Sequence, residues 1–247
     1  MYDYYLGGMH NFEVDRAMAE MGVGLWPNLP RIMRANRAFL TRAVRYLVGQ
    51  GVRQFLDIGS GIPTAGNVHE IAQAMEPGTR VAYVDIDPVA VAHSRAILAG
   101  NESTTVIQAD LREAEAILAE PELQKLLDLS QPVALLLVSL LHFVPESENP
   151  VSIVARLRDA LPAGSHLVLS HFSNEGTPEQ VEGLERLSRG TPTPLTLRSR
   201  AEIARFFAGF ELVEPGLVYL PEWRPDTPVA DPESYNDFCG VAVRAAP

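Results

Sequence analysis

Residues Phe55-Leu56-Asp57-Ile58-Gly59-Ser60-Gly61 place a carboxylate near the end of an apolar run and follow it with a Gly-x-Gly turn. That is a strand feeding a helix. Gly59 permits the tight turn, and Gly61 lets a ligand approach the backbone. The start of the next helix offers free N–H groups and the positive end of a dipole, which suit a carboxylate or a phosphate. A second acid, Asp85, ends the next apolar run, where it can accept hydrogen bonds from ribose hydroxyls. A third, Asp110 in Gln108-Ala109-Asp110-Leu111, ends the run after that, where an acceptor can meet an adenine amino group. Acceptors at three successive strand ends describe a site for an adenosine-containing ligand. The competing role for these aspartates is helix capping, the role expected of Asp87 before Pro88.

Two ligand classes fit such a turn. A dinucleotide fingerprint needs a third glycine close to the helix, and here Thr64 stands there, preceded by Pro63. No Tyr-x-x-x-Lys pair falls at a strand end. Both observations weigh against a nicotinamide-dependent oxidoreductase. His142 and His171 follow the fourth and fifth apolar runs, at the edge where a doubly wound sheet binds ligands. Their ordinary titration range suits proton transfer. The alternative for each is a loop histidine satisfied by backbone. No His-Glu-x-x-His spacing appears, so no metal is expected.

Strands are expected at Gln54–Ile58, Arg80–Asp85, Thr105–Ala109, Val133–Ser139 and Ser165–Ser170. Helices are expected between them, at Asn67–Met75, Val89–Leu98, Arg112–Ala119 and Val151–Leu161. Wholly apolar strands separated by helices imply a parallel sheet covered on both faces, in a doubly wound α/β fold. Phe210–Tyr219 and Cys239–Arg244 read as two further strands, an antiparallel pair at the edge of a seven-stranded sheet. Residues 1–50 are read as an N-terminal helical cap and 51–247 as the sheet domain. On the helix Arg31–Val48, Ile32, Phe39, Leu40, Ala43 and Leu47 share one face. Arg31, Arg34, Arg42 and Arg45 share the opposite one, expected to be solvated. Asn36 falls inside the apolar arc, so its amide needs a partner, either backbone or ligand.

The chain has 247 residues, 47% of them hydrophobic, and a formal charge of -11. That balance disfavours nucleic acid, whose phosphates call for a basic surface. Cys239 is the only cysteine, which fits a reducing cytoplasm. The first residues lack the regions of a signal peptide. The longest apolar run, Val133 to Leu141, is too short to span a bilayer, so no membrane association is expected.

These motifs together resemble the class I S-adenosylmethionine-dependent methyltransferases, and more narrowly an actinobacterial S-adenosyl methyltransferase family once described as a domain of unknown function. The matching residues are Tyr2-Asp3-Tyr4-Tyr5-Leu6-Gly7-Gly8 with Asn11-Phe12, Ala35-Asn36-Arg37-Ala38-Phe39-Leu40, and Phe55 to Thr64 with Asn67, His69 and Glu70. Val84 to Pro88, Leu141-His142-Phe143-Val144 and Leu169-Ser170-His171 complete the set. The pattern departs at Met9-His10, where a lysine and an aspartate are expected. The resemblance implies that Asp57, Gly59, Ser60 and Gly61 hold the methionine part of S-adenosylmethionine. It implies that Asp85 binds the ribose with Ile86 beside the adenine, that Asp110 and Leu111 meet the adenine edge, and that Ser139 lies near the transferred methyl. Tyr5, Gly7, Gly8 and Asn11 would fold over the site as a lid hinged at the two glycines. A general base, His142 first and His171 second, is needed only if the acceptor arrives protonated. A small-molecule acceptor is expected, in a pocket lined by the Pro-rich loop 221–232 with Trp223 and by the segment 171–195. A non-catalytic cofactor-binding sensor is the alternative reading.

Overall fold

The computed structural model describes residues 2–9, 11–62, 66–189 and 194–245. His10, Pro63, Thr64 and part of the 171–195 segment lie outside the described residues. Three helices come first: α1 (Tyr2–Tyr5), α2 (Glu13–Leu25) and α3 (Leu29–Gly49). Strands and helices then alternate through β1 (Gln54–Ile58), α4 (Val68–Met75), β2 (Arg80–Asp85), α5 (Pro88–Ile97) and β3 (Thr104–Gln108). Two short helices, α6 (Ala114–Ala119) and α7 (Pro121–Leu126), lead to β4 (Ala134–Val138), α8 (Pro150–Asp159) and β5 (His166–Phe172). The chain closes with α9 (Pro178–Ser188), α10 (Arg200–Ala204), β6 (Glu211–Leu212), β7 (Val218–Tyr219) and β8 (Asp237–Val243).

The sheet runs β3-β2-β1-β4-β5-β8-β6, with β7 also on β8. Strands β1 to β5 are parallel, and β8 is antiparallel to β5, β6 and β7. This is the expected doubly wound sheet with an antiparallel edge. It holds eight strands rather than seven because Phe210–Tyr219 is not one strand. Pro215 has no N–H for a ladder and Gly216 takes a φ of 92°, so the segment turns between β6 and β7. β5 runs two residues past its expected end, because β8 pairs with it as far as Phe172. The helix expected from Arg112 starts at Ala114, since Asp110 holds the backbone N–H and guanidinium of Arg112.

One face of the sheet buries Leu56, Leu135, Leu137, Ile153, Leu157 and Phe206. The other buries Phe55, Val81 and Ala134 under Ile32, Phe39, Ala43 and Leu47 of α3. The apolar face of α3 is therefore as expected. Its arginine face is solvated at Arg31, Arg34 and Arg45, as expected, but Arg42 is half-buried. Arg42 donates to the carbonyls of Trp223 (Nε, 2.7 Å) and Leu220 (Nη2, 2.8 Å). Arg31 donates to the Tyr235 hydroxyl at 2.9 Å and lies over that ring at 4.3 Å. Long cations here bind the carbonyls of a loop that would otherwise lie unpaired against the helix. Trp223 is fully buried, edge-on to Phe39 at 5.5 Å and to Tyr46 at 5.8 Å. It is a core residue rather than a pocket lining, which corrects the expectation for the Pro-rich loop.

Arg42→Ala removes two charge-assisted bonds at a partly buried site and should cost about 2 kcal/mol. Thermal unfolding should show a Tm lower by about 4–8 °C for a chain of this size. Arg45→Ala, on the same helix but exposed, should change Tm by less than about 2 °C.

Candidate cofactor and acceptor site

The turn after β1 is fastened to the end of β2. Gly59 and Ser60 both donate their N–H to the Val84 carbonyl, at 2.8 and 3.2 Å. Gly61 N–H donates to Asp85 Oδ2 at 2.7 Å, and Asp87 N–H donates to Asp85 Oδ1 at 2.9 Å. Gly59 has φ 75° and Gly61 φ 63°. A Cβ at Gly59 would stand 2.5 Å from Leu140 Cδ1, whereas at Gly61 it would meet nothing within 4 Å. One glycine is demanded by close packing, and the other leaves open space beside the backbone. Asp85 is half-buried, and each of its oxygens retains a lone pair for a further donor. Beside it Ile86 is 57% exposed, an apolar shelf at the strand end.

Asp57 is buried on the α3 side of the same edge. Burial raises its carboxyl to about 7, with Arg37 opposing the rise and Asp85 adding to it. Glu70 covers the start of α4, accepting from Gly66 N–H at 2.8 Å and Asn67 N–H at 3.0 Å. His69 N–H donates to the Tyr83 hydroxyl, whose oxygen also lies 2.7 Å from His69 Nδ1. The N–H groups of Gly66, Asn67 and His69 at this helix start are thus already in use, and a carboxylate sits on the first two. A phosphate is disfavoured there by like charge.

Asp110 is half-buried and accepts from Arg112 N–H and Nη1, both at 2.9 Å. Its remaining lone pairs can still take an amino group. Leu111 is 6% exposed and belongs to the core, so it can meet a ligand only through its backbone.

At the ends of β4 and β5 a buried chain of hydrogen bonds runs up to the N-terminal helix. Ser139, in the left-handed region at φ 54°, donates its N–H to Ser170 Oγ at 2.9 Å. Ser170 Oγ donates to Asn36 Oδ1 at 2.7 Å, Asn36 Nδ2 donates to the Tyr2 hydroxyl at 2.9 Å, and Tyr2 donates to the Met33 carbonyl. The partners of Asn36 are therefore side chains. Tyr5, Gly8 and Asn11, expected around the ligand, have their polar groups engaged within the N-terminal segment. Tyr5 OH donates to the Ala19 carbonyl, and Asn11 Nδ2 donates to Asp3 Oδ2 and the Gly8 carbonyl. A Cβ at Gly8 would collide with Asp3. Tyr2 is the tyrosine tied to the strand ends.

The two histidines differ. His171 is fully buried and stacked on Phe206. Its Nδ1 pairs with the Phe172 carbonyl at 2.7 Å, and its Nε2 lies 2.8 Å from Arg198 Nη1. The ring therefore carries its proton on Nδ1 and accepts at Nε2. Burial lowers its pKa to about 3. With both nitrogens in use, it is not the free base expected. Arg198 also donates to the carbonyls of Leu141 and Val144, so the pair holds the loop that carries His142. His142 is 1% exposed, and its Nδ1 has no partner. Burial, then the neighbouring His171 and Arg198, hold it neutral. Among the described residues no group of three potential metal ligands converges, and no helix is long and apolar enough to cross a membrane.

A family model described as S-adenosyl methyltransferase matches residues 1–245. The chain belongs to this methyltransferase family. Two solved structures resemble it closely. A Thermobifida fusca protein described as a candidate methyltransferase is 42% identical, with a TM-score of 0.94 over 99% of this chain and 93% of that one. A Streptomyces avermitilis protein of the DUF574 family is also 42% identical, with a TM-score of 0.93 over 98% and 95%. The N-methyltransferase NodS of Bradyrhizobium japonicum shares the fold at 10% identity, with a TM-score of 0.53 over 90% and 92%. No curated protein sequence matches the chain.

For a member of this family the open backbone at Gly61, the exposed Ile86 and the acids Asp57 and Asp85 fit an adenosyl amino acid. Tyr2, Arg37 and Ser170 were not singled out from sequence as site residues. Tyr2 and Arg37 stand within the matching motifs, but only the fold brings them to the strand ends. If Asp57 receives the ammonium group of the cofactor, it must be ionised to do so. Ionisation rises with pH through about 7. S-adenosylhomocysteine should therefore bind about tenfold more tightly at pH 8 than at pH 6. Calorimetry across that range checks this, and Asp57→Asn should flatten the profile.

Proposed function

We propose that this methyltransferase uses S-adenosylmethionine to methylate a small-molecule acceptor by in-line transfer, in the cytoplasm. The observation that carries the reading is the glycine turn pinned by Asp85, with open space at Gly61 and a carboxylate over the start of α4. A pyrophosphate would meet Glu70 there, whereas a zwitterionic amino acid would meet Asp57 and free backbone. S-adenosylmethionine supplies a methyl group already activated on a sulfonium. The chain's share is to bind, orient and exclude water. Asp57, Gly59, Ser60 and Gly61 would hold the methionine part. Asp85 would accept from the ribose hydroxyls, with Ile86 against the adenine and Asp110 beside its amino group. Ser139, held by Ser170, would border the methyl.

His142 is the remaining base for an acceptor that arrives protonated. It is neutral, its Nδ1 is unpartnered, and Arg198 and His171 fix its loop. A small acceptor suits the buried surroundings of His142, and the net charge of -11 disfavours nucleic acid. The free buried thiol of Cys239 accords with a reducing compartment.

Calorimetric titration with S-adenosylmethionine, S-adenosylhomocysteine and NAD tests the reading. Both adenosyl ligands should bind at micromolar concentration, NAD should not, and Asp85→Ala should weaken binding at least about tenfold, the equivalent of one lost charge-assisted bond. Binding of NAD alone would support the oxidoreductase instead.

A further inference from the structure

Buried polar atoms without partners are uncommon, because each costs about 1–3 kcal/mol of desolvation with no bond in return. Three such atoms, Trp26 Nε1, His142 Nδ1 and Asp237 Oδ2, belong to residues that surround Phe172 at the functional end of β5. The Trp26 ring lies 6.0 Å from Phe172, centroid to centroid, and the His142 ring 5.0 Å. Asp237 is the cross-strand partner of Phe172 in the β5–β8 ladder, so the two side chains leave the sheet on the same face. Asp237 is fully buried. Its Oδ1 accepts from His171 N–H at 3.1 Å, and its Oδ2 is left over. Next to His142, Phe143 is 38% exposed, so the buried cluster lies directly behind a partly exposed ring.

We infer that Trp26, Phe172, His142 and Asp237 form the acceptor subsite, and that they take a neutral hydroxylated aromatic ring. This rests on the methyltransferase reading above. The chemistry of the three atoms selects the ligand. An indole N–H only donates, so the ligand must present an acceptor oxygen to Trp26. A neutral imidazole nitrogen and a carboxyl each pair with a group that can both donate and accept, as a hydroxyl does. The Phe172 and Trp26 rings supply the apolar faces against which an aromatic ring stacks or stands edge-on. Burial raises the carboxyl of Asp237 and lowers His142, so the charged form of each is disfavoured and the cluster suits an uncharged ligand. Three unpaired atoms around one ring are costly. Their bonds are made when the ligand arrives.

The chain has two tryptophans, so its indole N–H signals can be assigned with one Trp26→Phe variant. Proton–nitrogen NMR on the full protein saturated with S-adenosylhomocysteine is the test, with phenol and catechol as probes and benzene as the control. The Trp26 signal should move downfield with phenol or catechol while the Trp223 signal stays. Asp237→Asn, which keeps the Oδ1 acceptor but puts a donor-only NH2 where the ligand hydroxyl would donate, should raise the half-saturating concentration at least about fivefold, the equivalent of one lost hydrogen bond. Its Tm and its affinity for S-adenosylhomocysteine should match the parent. The inference is overturned if neither hydroxyarene moves the Trp26 signal, if benzene moves it equally, or if Asp237→Asn binds the hydroxyarenes like the parent. Failure to bind S-adenosylhomocysteine at all would sink the methyltransferase reading, a separate outcome.

Discussion

The carboxylate of Asp85 bonds two backbone N–H groups, of Gly61 at 2.7 Å and of Asp87 at 2.9 Å. One belongs to the turn after β1 and the other to the cap of α5. A single side chain thus joins two crossover connections at the point where the sheet opens to ligand. The bonds orient its oxygens. The turn it holds cannot shift inward, because the side chain of Leu140, just after β4, already packs against Gly59. The backbone at Gly61 is held between these constraints with open space beside it, which is how a rigid scaffold presents a loop to a ligand.

Helix α3 extends this order across the rest of the sheet edge. Its apolar stripe covers β1, β2 and β4, and the polar groups on it each have a separate task. Arg37 lies beside Asp57 and restrains the rise of its pKa. Asn36 bridges Ser170 and Tyr2, which ties the end of β5 to α1. Arg42 binds the carbonyls of the loop before β8. That loop precedes Asp237, so one helix contacts elements that frame both the cofactor end and the acceptor end of the edge. Buried networks of this kind favour a unique arrangement when every member is satisfied. Three of the nine buried side-chain atoms without a partner among the described residues belong instead to residues around Phe172, at the acceptor end.

Local backbone demands explain what was legible in sequence. Gly59, Gly61 and Asp85 sit where a tight turn, a close approach and a strand end require particular residues, and β1 and β2 fall within their expected bounds. Periodicity identified the apolar face of α3 but carried no information on what touches its other face, so Arg42 read as solvated although it is half-buried. The same blindness to tertiary partners affected His171, whose nitrogens go to Phe172 and Arg198, and Trp223, which closes the core against Phe39. The helix start after the glycine turn read as a free anion site, although Asn67 and Glu70 stand at the spacing of a capping box. In the N-terminal segment several tyrosines competed for one role. Only the packing of α1 on α3 shows that Tyr2 reaches the strand ends and Tyr5 does not.

The site proposed for the adenosyl ligand lies against the Asp85-pinned turn. A crystal structure of the complex with S-adenosylhomocysteine tests it most directly. The ribose should lie on Asp85, the adenine on Ile86 and the amino acid by Gly61 and Asp57, with Glu70 still bonded to Gly66 and Asn67. A ligand seated elsewhere, or one that displaces Glu70 to reach the start of α4, would contradict the account.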